Sequence, residues 1–239
     1  FIADRRTGYS MNPPITRVLM SRRQLLLAAL AASSQVILPA KSVARSTPEA
    51  GLGVRKMNID HFVADCVAAN AETDAQAAVL EVLAEAVQHP GAALAAIGEP
   101  AKAGINVLHR SETLTVFAAT WTPQMNLMPH NHLMWANIGI YTGREDNIMW
   151  QKSENGIEAY GAKALFEGDA VALPIDAIHS VTNPLPRFTG GIHIYGGDFF
   201  DTTRSQWNPE TLVEEPSDGA VIRGIFEREN ERLLLNTSS

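Results

Sequence analysis

Three histidines stand out by type and spacing. His130 and His132 lie two residues apart in Met128-Pro129-His130-Asn131-His132. On an extended segment, side chains at i and i+2 leave the same face. Two imidazoles so placed can converge on one metal ion. A third ligand must come from elsewhere, and His179 is the best candidate, in Leu173-Pro174-Ile175-Asp176-Ala177-Ile178-His179-Ser180-Val181-Thr182-Asn183. His61, His89 and His109 sit in helical or strand-edge contexts without such partners and read as structural. The single cysteine, Cys66, excludes an intrachain disulfide and any CxxC-type zinc or redox site. It falls on an apolar helical face and reads as a core residue.

These side chains must be held by a framework, and the 239 residues suffice for one substantial core. From Met57 to about Ile97 the pattern is helical. Ile59, Phe62, Val63, Cys66 and Val67 recur at helical spacing, then Val79, Leu80, Val82, Leu83 and Val87. Asp60 and either Thr73 or Asp74 can cap these starts, and Pro90-Gly91 is read as the stop of the second helix. From about Asn106 the texture changes to short strands split by turns. The clearest are Leu114–Trp121, Met134–Tyr141, Ile148–Gln151, Ala170–Leu173 and Phe188–Tyr195. Many short strands at this spacing predict a small barrel or jelly roll. A surface helix from Val221 to Leu235 turns Ile222, Ile225, Phe226 and Leu233 inward.

Charge separates the first 45 residues from the rest. They hold seven basic residues and one acid, leaving 12 basic and 25 acidic residues in the other 194, a net −13. A body this acidic repels phosphate backbones and anionic membrane surfaces, so nucleic acid is not an expected partner. Within residues 1–45, Ser21-Arg22-Arg23-Gln24-Leu25-Leu26-Leu27 opens an apolar stretch, and Ser42-Val43-Ala44 resembles a cleavage site. This resembles a twin-arginine (Tat) export signal with a start at Met11 or Met20. The expected organisation is a leader over 1–45, a helical region over 46–105 and a barrel with its C-terminal helix over 106–239. The expected location is periplasmic, or cytoplasmic if the leader is not genuine. No stable membrane insertion is expected after signal removal, and the chain is expected to be a monomer or homodimer.

The histidine spacings resemble the two motifs of the cupin family. The first motif runs His-x-His, three or four residues, Glu, six residues, Gly. Here His130 and His132 are followed by Leu133-Met134-Trp135, then Ala136, then six residues to Gly143. The second motif is matched in spacing by Gly168, Pro174, His179 and Asn183. Gln124 stands where the opening glycine belongs, and Asp176 replaces the glycine before the second-motif histidine. Ala136 (or Asn137 with the longer spacer) replaces the glutamate ligand. The resemblance implies a mainly β fold, a double-stranded β-helix with N-terminal helices and a C-terminal helix.

Loss of the carboxylate leaves three neutral imidazoles and an ion with its full double charge, which favours an anionic partner such as a thiolate. Within cupins, a three-histidine set resembles the cysteine dioxygenase (thiol dioxygenase) family, which uses ferrous iron. Trp121, nine residues before the first ligand, fits that family. So do His193 and Tyr195, although Gly191 replaces the serine that orients the histidine there. Arg204 occupies the place of a carboxylate-binding arginine in the bacterial mercaptopropionate-type members. Asn106 and Arg110 are loose candidates for a second one. No cysteine lies near Asn137, so a Cys–Tyr crosslink is excluded. The resemblance spans roughly Met57 to Trp207.

It implies Fe(II) held by His130, His132 and His179, with Tyr195 and His193 as catalytic residues. Arg204 would bind substrate. Trp135 and Met134, next to the ligands in sequence, are expected to line the barrel as an apolar pocket wall, with Trp135 against the substrate. The implied reaction oxidises a small thiol acid to a sulfinate with O2. Two other readings stay open. One is another three-histidine cupin enzyme, a dioxygenase or an isomerase or lyase acting on a chelating anion. The other is a non-catalytic cupin that binds a metal or small ligand.

Overall fold

A computed structural model describes residues 57–237. The leader expectation for 1–45 lies outside the described residues. Three helices come first: α1 (Ile59–Ala69), α2 (Ala75–Val87) and α3 (Pro90–Ile97). Asn58 caps α1 by accepting from the His61 backbone N–H, and Asp74 caps α2 by accepting from Ala77. Pro90 does not merely stop α2. It occupies the first turn of α3, where its missing N–H costs no hydrogen bond.

Eleven strands follow: β1 (Gly104–Arg110), β2 (Thr115–Trp121), β3 (Asn126–Asn131), β4 (Ala136–Thr142), β5 (Arg144–Ser153), β6 (Gly156–Phe166), β7 (Ala170–Leu173), β8 (Ile178–Thr182), β9 (Thr189–Tyr195), β10 (Ser205–Trp207) and β11 (Glu214–Pro216). The chain ends in α4 (Gly219–Thr237). The strands form two sheets, ordered β1-β2-β9-β4-β7 and β11-β10-β3-β8-β5-β6, with antiparallel pairing. Successive strands alternate between sheets over much of the barrel. This is the jelly-roll winding of a double-stranded β-helix.

The central strands of the first sheet, β2, β9 and β4, are buried on both faces. Phe117, Ala119, Trp121, Ala136, Ile138, Ile140 and Tyr195 turn into the barrel core. Leu114, Val116, Tyr141, Ile192 and Ile194 take the opposite face, against Phe62, Cys66, Val79, Leu83 and Val87 of the helices. The Gln76 side chain ties α2 to this sheet, donating to the carbonyls of Leu173 (2.8 Å) and Ala136 (3.3 Å). At Gly139 a Cβ would lie 2.9 Å from Leu83 and Val87, so the close approach of α2 to β4 requires a glycine. On the other side of the barrel core, α4 contributes Phe226, stacked on Trp121 at 5.5 Å, with Ile222 and Ile225 beside it. None of the described helices is long and apolar enough to cross a membrane.

Candidate metal centre

The second sheet carries the histidines. In the β3–β8 pair, His130 is the cross-strand neighbour of His179. A register shift between Leu127 and His130, where Pro129 has no N–H to give the ladder, re-aims the end of β3. His132 follows just past the strand. Leu133 then takes a positive φ of 55°, a left-handed turn that carries the chain to β4. Gln124 also sits at positive φ, 60°, where the family motif has glycine.

The three rings meet. Their centroids are 4.6 Å (His130–His179), 4.9 Å (His132–His179) and 5.1 Å (His130–His132) apart. One nitrogen from each lies within 4.8 Å of the others, and the set contains no carboxylate. Nε2 of His179 and Nε2 of His132 are 3.2 Å apart. Hydrogen bonds assign the other nitrogen of two of the rings; His132 Nδ1 is buried with no partner among the described residues. His130 Nδ1 donates to the Met128 carbonyl at 3.0 Å, and His179 Nδ1 donates to Asn147 Oδ1 at 2.6 Å. Both rings therefore keep the Nε2 lone pair free. Burial pushes His130 down to about 4, and burial plus the neighbouring imidazoles holds His132 and His179 well below the ordinary histidine value. All three are neutral at physiological pH, the state a metal ligand needs. Three buried, neutral, converging imidazoles fit a divalent transition ion, and they give no reason for existing as a packing cluster.

Beside them, against His130 and His179, lies a cavity of about 420 Å³. Its walls include His130, His179, His193, Tyr195 and Arg204, with Phe117, Trp121, Phe199 and Phe226 supplying apolar surface. His193 and Tyr195 come from β9 in the opposite sheet, two apart and so on one face. The Tyr195 hydroxyl and His193 Nδ1 are 3.3 Å apart, and the Tyr195 ring stands 4.9 Å from that of His132. Burial raises the Tyr195 phenol, as does the charge of Glu145, so it keeps its proton. Arg204 enters from the segment before β10. Its guanidinium lies 4.0 Å over the Phe199 ring, and Nη1 donates to the carbonyls of Phe199 and Thr202. Its Nε is buried with no partner among the described residues. Burial lowers its affinity for its proton but leaves it a cation.

Trp135 is placed elsewhere. Ala136 faces the barrel core, so by alternation Trp135 leaves the other way. It packs with the helix-side cluster against Gly196, where a Cβ would lie 2.1 Å from its ring. It is not among the residues lining the cavity, whereas Met134 does join the barrel core. Arg110 pairs with Asp198 through Nε and Nη2 at 2.9 Å on the surface, and so is committed away from the cavity. The sequence reading missed Glu145 and Asn147. Both are buried, and both belong to the hydrogen-bonded surroundings of the histidines. Their i, i+2 spacing within Glu145-Asp146-Asn147 was the available signal, masked by a polar run that follows a Thr142-Gly143 turn.

No protein-family model and no curated protein sequence matches the chain. Solved structures resemble it at low identity. A protein from Bacillus halodurans is 17% identical, with a TM-score of 0.37, over 41% of this chain and 72% of that one. An uncharacterized conserved protein with a double-stranded β-helix domain from Klebsiella pneumoniae is 12% identical, with a TM-score of 0.34, over 42% and 76%. A recombinant oxalate oxidase in complex with glycolate is 13% identical, with a TM-score of 0.32, over 36% and 42%. From its own strand order and side chains, residues 57–237 form a double-stranded β-helix around a buried three-histidine cluster suited to a metal.

Proposed function

We propose that the chain is a metal-dependent dioxygenase that oxidises a small thiol acid to a sulfinate. The observation that carries this reading is the all-histidine donor set, two of whose rings line a cavity shared with a buried phenol and a partly buried guanidinium. His130, His132 and His179 would hold the ion through nitrogen atoms, and Fe(II) is the proposed metal. When bound there, a divalent ion supplies positive charge that stabilises a thiolate and, as ferrous iron, the redox capacity to use dioxygen. The rest of the chemistry falls to the chain itself. Arg204 offers charged N–H groups to a substrate carboxylate, and its Nε is a buried donor with no partner among the described residues. Tyr195, steadied by His193, presents a protonated hydroxyl beside the histidines. Phe117, Phe199 and Phe226 keep water from the walls. In the balanced reaction one thiol and one O2 give one sulfinic acid, both oxygen atoms going to sulfur.

The test is oxygen uptake by iron-loaded protein with cysteine, cysteamine and 3-mercaptopropionate, with the sulfinate identified by mass spectrometry. Uptake with a carboxylate-bearing thiol, matched by sulfinate formation, supports the reading. Bound iron without uptake on any thiol would turn the account toward a binding protein or another substrate class.

A further inference from the structure

Glu145 is fully buried in β5, and its two oxygens serve different partners. Oε1 accepts from Asn147 Nδ2 at 3.1 Å. Oε2 accepts from the Trp121 indole N–H at 2.8 Å and lies 3.3 Å from His193 Nε2, within ion-pair reach although off the line of a good hydrogen bond. Glu145 and Asn147 point into the barrel together because they alternate with Arg144, Asp146 and Ile148 on the strand. A buried carboxylate is costly, so a strand that keeps one among hydrogen-bond donors has a use for it.

We propose that Glu145 is a positioning residue shared by both halves of the site. It orients the ligand His179 through Asn147, and it holds His193, and hence Tyr195, by direct contact. The proposal deepens the metal-centre reading and rests on it. The physical reason lies in the Asn147 amide. With its NH2 committed to Glu145, its oxygen must face His179 Nδ1. That nitrogen must then carry the hydrogen, and the Nε2 lone pair is left for an ion. Without a carboxylate acceptor the amide is free to flip and present NH2 to Nδ1, which favours the tautomer that cannot ligate. On the other arm, a Cβ at position 191 would lie 3.2 Å from His193 Nε2, and the glycine there gives that nitrogen no side-chain partner. The polar contact at that nitrogen is the Glu145 carboxylate from the opposite sheet.

The test uses Co(II) as probe on the purified full chain, metal-free at the start. Affinity is measured for the wild type, Glu145→Gln, Asn147→Ala and the double variant, with thermal unfolding of each. Glu145→Gln should weaken Co(II) about tenfold or more, in line with other residues that orient metal ligands. Asn147→Ala should do the same, and the double variant should be no weaker than Asn147→Ala alone, because both act along one path. Nitrogen-15 NMR of the histidines should show His193 Nε2 protonated in the wild type and in Asn147→Ala. In Glu145→Gln a fraction of rings should change tautomer, the hydrogen moving from Nε2 to Nδ1. Unchanged Co(II) affinity in Glu145→Gln, or effects that multiply in the double variant, overturns the proposal. If Glu145→Gln does not fold, unchanged affinity in Asn147→Ala decides against it. A wild type that binds no Co(II) overturns the metal-centre reading itself, and the His179 arm with it.

Discussion

Adding a divalent ion to the metal-free protein should raise its unfolding temperature, and His179→Ala should abolish most of that rise. The three ligands come from β3, the turn after it and β8, so the set exists only when that part of the second sheet is assembled. An ion that binds the folded chain and not the unfolded one stabilises by mass action. At a free concentration of about 100 times Kd the gain is about 2.7 kcal/mol. For a folded unit of this size each kcal/mol moves the midpoint by about 2–4 °C, so the expected shift is about 5–11 °C. Substituting His179 leaves two imidazoles, His130 and His132, and removes the ring whose Nε2 faces His132 at 3.2 Å. The assay is differential scanning calorimetry with and without Co(II) or Fe(II) under anaerobic conditions. Equal shifts in wild type and His179→Ala would refute the reasoning, because the ion would then be binding elsewhere.

Burial pushes the Cys66 thiol up to about 12, so it should resist thiol reagents at pH 8 until the chain is unfolded. A thiol that holds its proton more tightly when folded adds no penalty below the unfolded value of about 8.5. Stability should therefore fall as pH rises from about 9 toward 12, and denaturant midpoints should fall less in Cys66→Ala. Gly139→Ala should destabilise by about 1–3 kcal/mol in urea unfolding, because the new methyl would meet Leu83 and Val87 at 2.9 Å. Under the proposed function, Arg204→Ala should lower kcat/KM at least about tenfold for 3-mercaptopropionate and less for cysteamine, which has no carboxylate.

The legible parts of this chain were those where one residue type and one period decide the outcome. His130 and His132 could be paired because a strand repeats every two residues. Leu114–Trp121, Met134–Tyr141 and Phe188–Tyr195 read as strands because the β2, β4 and β9 strands they overlap are buried on both faces and mostly apolar. The long strand β6 escaped notice because it forms the edge of its sheet and is mostly exposed, so small and polar residues suffice there. β3 escaped because Pro129 argues against a strand, and only the register shift beside it makes it tolerable. Trp135 was assigned to the pocket by nearness in sequence, but one residue of register places it on the helix side of the first sheet. Glu145 and Asn147 were out of reach for a related reason. A buried polar pair looks like a turn until the partner strand that buries it is known.

The most direct measurement is anomalous diffraction at the iron edge from crystals of the Fe(II)-loaded protein. One peak bonded to a nitrogen of each of His130, His132 and His179, with no carboxylate among the ligands, is the expected result. A peak at another place, or a carboxylate completing the coordination sphere, would contradict the account.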